Sequence, residues 1–196
     1  MGRVQTFDTA TVVRAARALF WERGYEDVSV PDLEEATGIR RSSLYHAFGS
    51  KRGVFDAAVE SYLEDVVRPR LRPLQEAEVA PDALVTYLQG LRAALADGRP
   101  AAAQAGCLLL NAATAPVGRD EAVAQVVHGY RAELHAAFER GAVAAGTAAP
   151  QQVATLCTSA VVSAFVLARI DPAEAVATLD AVLAVVGTGA GARRAD

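Results

Sequence analysis

Between Ala36 and Phe55 the chain gathers Arg40, Arg41, Lys51 and Arg52 with no acidic residue among them, and it interleaves them with Ser42, Ser43, Tyr45 and His46. Guanidinium and ammonium groups neutralise phosphate, while hydroxyls and imidazole reach phosphate oxygens or base edges. Arginine is also the commonest specific reader of guanine. The chemistry on offer is recognition of a polyanion rather than bond breaking. Lys51 is the sole lysine of this 196-residue chain. It stands at a helix start, where free amide N–H groups favour an anion as well. The net charge of −4 does not oppose this reading, because the local field governs contact with DNA. A short charged face alone is ordinary solvated surface; the elements that hold it decide what it does.

Those elements read as helices. Asp8 or Thr9 can cap a first helix whose inward stripe is Val12, Ala16, Leu19 and Phe20, and Gly24 ends it. Ser29 starts a second, short helix with Val30 and Leu33 inward and Asp32 near its positive end. Gly38 stops it, since glycine takes the left-handed turn conformation at little cost. Ile39 plugs the turn, and the next helix carries Leu44 and Phe48 one turn apart as anchors. Helix, glycine turn, helix is the arrangement that lets one helix enter the major groove while the other crosses the backbone. Gly49-Ser50 breaks the chain again, and Ser50 caps a longer helix with the stripe Phe55, Ala58, Val59, Tyr62 and Val66, which Pro69 and Pro73 are expected to close.

The series Gly24-Tyr25-Glu26-Asp27-Val28-Ser29-Val30-Pro31-Asp32-Leu33, then Ala36-Thr37-Gly38-Ile39, then Ser43-Leu44-Tyr45-His46-Ala47-Phe48-Gly49-Ser50-Lys51 closely resembles the DNA-binding domain of TetR-family (TetR/AcrR-like) transcriptional regulators. The resemblance is confined to the N-terminal part of the chain and is specific, because several punctuated positions agree in order and spacing. It implies an all-α homodimer. An N-terminal three-helix DNA-binding head with a helix-turn-helix is joined by a long fourth helix to a larger helical C-terminal domain for ligand binding and dimerisation. Carried over by position, it assigns DNA contacts to Ser29, Arg40, Arg41, Ser42, Ser43, Tyr45, His46 and Lys51. Ser29 would cap the second helix and touch phosphate, and Tyr45 and Lys51 would also meet phosphate. Arg41, Ser42, Ser43 and His46 fall where members read or approach bases. Two departures stand out: Ala47 replaces a common His or Tyr, and Ser42 replaces a frequent Gly. Arg3 lies where a flexible N-terminus can reach a minor groove, though a terminal arginine is more often solvated.

The rest of the chain continues the helical pattern. Expected helices run over 82–95, then a short one with Leu108, Leu109 and Ala112, a long one over 120–145, one from Pro150 to Arg169 and a last one from Pro172. The domain division expected is a head over 1–54, an effector and dimerisation domain over 55–187, and a frayed, disordered tail over 188–196. One stripe of the Pro150 helix holds Val153, Cys157, Ala160, Val161 and Ala164; another holds Leu156, Ser163, Val166, Leu167 and Ile170. A helix apolar on both sides must bury both. A second copy of the chain is the natural cover, or else the helix lies wholly inside one monomer. The seam is placed on Val153, Cys157, Ala160, Val161, Ala164, Leu179 and Leu183.

An effector pocket is expected around Tyr62, Tyr87, Cys107, Asn111, His128 and Tyr130, polar groups in an otherwise aliphatic cavity. Cys107 reads either as a thiol sensor at a helix start or as a small packing residue. His128 and His135 share a helix face, but no third ligand has a metal-like spacing, so no metal and no cofactor are expected. There is no nucleophile elbow, HExxH, phosphate loop or telling carboxylate pair, so an enzyme is not expected. The alternative to a regulator is a helical interaction protein that does not bind DNA. No charged-then-apolar leader opens the chain, and hydroxyls interrupt the apolar run 152–168, so the expected place is the cytoplasm with no membrane partner. The expected partners are double-stranded operator DNA, a small-molecule effector and a second copy of the chain.

Overall fold

In the computed structural model, residues 7–97 and 105–191 are described; Arg3 and residues 192–196 lie outside them. Among the described residues there is no strand.

Helix α1 (Thr9–Arg23) begins where the Asp8 carboxylate accepts the N–H groups of Ala10 and Thr11. It ends at Gly24, φ 82°, a conformation that costs other residues a steric clash. Helix α2 (Val30–Thr37) opens on a reciprocal capping box between Ser29 and Asp32 and closes at Gly38, φ 70° and ψ 9°. Helix α3 (Arg41–Phe48) follows, and α4 (Lys51–Tyr62) starts on the Ser50 hydroxyl, which accepts the Gly53 N–H. Phe20, Tyr25 and Phe55 weld α1 to α4: the Phe20 and Phe55 rings meet edge to face at 5.3 Å, and Tyr25 packs on Phe55 at 5.0 Å. Val28, Leu33 and Leu44 complete this small core, all fully buried.

Pro69 and Pro73 do not end the α4 direction as the sequence led us to expect. A π-helical turn, Leu63–Val67, carries the chain on into α5 (Arg68–Gln75), with Pro73 inside that helix. Pro69 brings no N–H to the ladder, and the wider turn just before it absorbs the register change.

The larger domain comprises α6 (Ala83–Ala96), α7 (Leu108–Thr114), a 3₁₀ turn (Pro116–Arg119), α8 (Glu121–Ala144), α9 (Pro150–Leu167) and α10 (Pro172–Gly191). Asp120 caps α8 through the N–H groups of Ala122 and Val123. At Gly141 a β-carbon would stand 2.7 Å from Leu74 Cδ2 and 2.9 Å from Leu84 Cβ, so the missing side chain lets α5, α6 and α8 close together. The backbone of α10 stays helical through Gly191, so the first residues of the expected tail belong to the last helix. Helix α9 is long and apolar enough to cross a membrane by composition; here it packs between α8 and α10.

The stripe on which the dimer seam is expected packs largely against the chain's own core. Cys157, Val161, Ala164 and Leu179 are fully buried against their own chain, and Val153, Ala160 and Leu183 are partly buried against the same core. The other stripe faces out: Leu156 is 43%, Val166 45% and Ile170 75% exposed. Periodicity finds both stripes but not which one the neighbouring helices take, since small Cys and Ala residues permit the closer intrachain approach.

Candidate nucleic-acid interface

The site is the pair α2–α3 with its glycine turn. Leu33 and Leu44 are buried, and Tyr45 and Phe48 pack on the core from its edge. Anchored this way, α3 turns Arg40, Arg41, Ser42 and His46 to solvent, while Ser43 is half-buried. The N-terminus of α3 is held by a residue that sequence reading did not single out: Glu34 accepts the Arg41 N–H at 2.7 Å. It ties the turn between the two helices and places a carboxylate on the positive end of α3.

Each expected DNA-contacting residue has a defined local setting. Arg41 stacks over the Tyr45 ring, 5.0 Å from its centroid, one turn along the helix. Lys51 lies over the Tyr25 ring at 4.4 Å, and this partial burial draws its ammonium below the ordinary lysine range. Ser29 is exposed, yet both its hydroxyl and its N–H donate to Asp32, which lowers the Asp32 carboxyl to about 2, with Arg23 assisting. The Ser29 side chain therefore acts first as a cap. Arg52, counted among the cations of this stretch, points the other way and pairs with Asp56 and Asp120.

Besides the Arg17 contacts to Ser61 and Asp65 at the far end of α4 and its π turn, three polar contacts fasten this head to the larger domain. Arg52 grips Asp120, the cap of α8. Glu26 accepts the Val117 N–H at 2.7 Å, and the Trp21 indole donates to the Gly106 carbonyl at 3.0 Å. All three end on or beside the segment 106–120. Their partners lie 68 to 91 positions apart, beyond the reach of any local pattern.

The expected effector residues divide. Tyr62, Cys107 and Tyr130 do come together, but as a closed cluster: all three are buried and the two phenols reach the Cys107 thiol. Burial pushes the Cys107 thiol up, and it does the same to both phenols. That favours the packing reading of Cys107 over the sensor reading. The Asn111 amide donates to the Ala105 carbonyl at 2.7 Å, shaping the start of α7 instead of lining a cavity. His128 is exposed, yet with Tyr130, Leu110 and Val162 it lines a second cavity of about 360 Å³. Tyr87 lines a cavity of about 550 Å³, formed between α5 and α6 and bordered by Arg70, Leu74 and Leu91. Among the described residues no three His, Cys, Asp or Glu side chains gather as a metal site would require.

A glycine-turned helix pair, capped at both starts and presenting arginines and hydroxyls from its second helix, defines the helix-turn-helix class of DNA-binding regulators. Residues 12–58 match the family described as bacterial regulatory proteins, tetR family. The chain is 36% identical over 141 residues to the uncharacterized HTH-type transcriptional regulator YezE of Bacillus subtilis, covering 72% of this chain and 71% of that one. It is 34% identical over 121 residues to the HTH-type transcriptional repressor ComR of Escherichia coli, covering 58% and 53% of the two chains. Among solved structures it resembles the TetR family transcriptional regulator CifR, a cysteine mutant complexed with 26-bp operator DNA, with TM-score 0.76 and 31% identity, covering 93% of this chain and 98% of that one. The chain belongs to the tetR family of bacterial regulatory proteins and is a DNA-binding transcriptional regulator.

Proposed function

We propose that the protein is a repressor that binds a roughly palindromic operator as a homodimer and is released by a small molecule. The observation that carries this reading is the exposed α3 face of Arg40, Arg41, Ser42 and His46, fastened through Arg52, Glu26 and Trp21 to the domain that holds the α5–α6 cavity. The head comprises residues 1–54 and the larger domain begins at 55. Tyr45 and Lys51 flank the reading face and meet the phosphate backbone, while Ser43 lies at its half-buried edge. That CifR has been captured on operator DNA, and that ComR is named a repressor, supports the same assignment here.

The seam is the outward stripe of α9, Leu156, Ser163, Val166 and Ile170, beside Val185 of α10. A four-helix contact across a two-fold axis covers these side chains in both copies. Two α3 helices then sit about 34–36 Å apart, one turn of B-DNA. The effector acts by binding more tightly to the dimer whose heads no longer fit that spacing, since only differential affinity shifts the equilibrium.

Fluorescence anisotropy with labelled DNA from upstream of the protein's own gene, run against a scrambled duplex over a salt series, tests the reading. Tight, steeply salt-dependent binding that prefers the native duplex is expected. Equal, weak binding to both duplexes counts against it.

A further inference from the structure

The geometry points to a small apolar monocarboxylic acid as the ligand of the cavity between α5 and α6, its carboxylate held by Arg70 and the Tyr87 hydroxyl. This rests on the reading of the protein as a ligand-released regulator and gives that ligand a chemical class.

Arg68, Arg92 and Arg140, on or beside the cavity's helices, are engaged, and Arg72 of α5 does not border the cavity. Arg68 pairs with Glu60 and Glu64, Arg92 with Asp180, and Arg140 donates to the carbonyls of Leu74 and Glu76. Arg70 makes no ion pair or hydrogen bond among the described residues. Its charge falls instead on the phenols of half-buried Tyr87 and buried Tyr62. Tyr87 packs edge to face on Phe138 at 5.0 Å, and burial pushes its phenol well up, so it remains a neutral donor. Its hydroxyl makes no hydrogen bond among the described residues. Two donors without a partner among the described residues, one from each helix that walls the cavity, call for a ligand group that only accepts, and a carboxylate paired with a guanidinium is the strong form of that contact.

Apart from Thr86 and Asp82, the rest of the lining is apolar. Pro69 and Pro73, one helical turn apart on α5, present rigid rings, and Leu74 and Leu91 close the sides. A cavity of about 550 Å³ with this lining suits a ring system or a medium-length alkyl chain. Asp82 borders the cavity near the α5–α6 connection, whereas Arg70 and Tyr87 lie farther along both helices. A second carboxylate at that end would meet a like charge, which favours a monoacid over a diacid.

The test is isothermal titration of the full-length protein with benzoate, 1-naphthoate and octanoate, each beside its primary amide, and with succinate. At least one monoacid is expected to saturate, with its amide about tenfold weaker, the loss of one charge-assisted contact. Arg70→Gln should bring that acid down to its amide. Tyr87→Phe should weaken the acid more than the amide, whose carbonyl accepts only a neutral hydrogen bond. Gly90→Leu should abolish both, because Gly90 borders the cavity and a β-carbon there meets nothing within 4 Å, while leucine is the better helix former. The proposal is overturned if no monoacid saturates at millimolar concentration, if the amide or succinate equals the acid, or if Arg70→Gln changes nothing. Anisotropy on the same preparation without any acid separates the two readings. Operator binding without acid binding leaves the regulator standing and removes the acid; acid binding without operator binding does the reverse.

Discussion

Arg52 and Asp120, 68 positions apart, meet in a two-point ion pair, Nη2 to Oδ1 at 3.0 Å and Nη1 to Oδ2 at 2.9 Å. Arg52 sits in the first turn of α4, directly after Lys51. Asp120 caps α8, the long helix of the larger domain. The pair joins the start of one domain's anchoring helix to the start of the other's. Planar two-point pairing fixes orientation as well as distance. Arg52→Lys keeps the charge and loses the fork, so operator affinity should fall while circular dichroism and melting stay near wild type. A melting temperature that falls in step with affinity would make the pair merely structural.

Two caps predict how the fold responds to acid. Asp32, held chiefly by Ser29, and Asp120, held chiefly by Arg52, each have a carboxyl lowered from 3.8 to about 2. A depressed folded-state pKa contributes stability that is present above the unfolded value and is lost as pH falls through the folded one. Stability should therefore decline between about pH 4 and pH 2. The decline in that window should be shallower in Asp32→Asn and Asp120→Asn. Chemical denaturation at stepped pH reads this directly; identical slopes in wild type and variants would remove the caps as the cause.

DNA contacts should separate by salt dependence. Arg41→Ala is expected to cost about 1–3 kcal/mol and to relax specificity at one operator position. Lys51→Ala should weaken all sequences alike and reduce the salt slope by about 1. Neither should alter the dimer, measured by sedimentation. A Lys51→Ala salt slope equal to wild type would place that ammonium away from phosphate.

The two faces of α9 should respond to charge in opposite ways. Val161→Asp puts a carboxylate at a fully buried position and should cost on the order of 3–5 kcal/mol of folding stability. Val166→Asp, at a position 45% exposed in one chain, should leave the monomer folded and halve the molecular mass. Dissociation by the first variant without unfolding would return the seam to the inner stripe.

Thr158 is buried and its hydroxyl has no hydrogen-bond partner among the described residues. Thr158→Val keeps the shape and removes the unsatisfied group, so stability should rise by about 1 kcal/mol in denaturant titration. A loss of stability would mean that the hydroxyl is satisfied in solution.

The head was legible before any coordinates because its signals are local. Ser29 with Asp32, the positive-φ positions Gly24, Gly38 and Gly49, and the spacing of Leu44 and Phe48 each act within a turn or two of chain. Capping, left-handed turns and helical periodicity are properties of neighbouring residues, and so a string of residues suffices to specify them. Pro69 and Pro73 misled for the same reason: a local rule for stopping a helix was overridden by a π turn that the surrounding packing supports. Which stripe of α9 faces its own chain, where Arg52 and Glu26 find partners, and which phenol borders a cavity depended on contacts between residues distant in sequence. Those outcomes are set by volume and distance across helix interfaces, as at Gly141, where one absent side chain lets three helices meet. Periodicity records that a face is apolar, but only close packing in three dimensions selects what covers it.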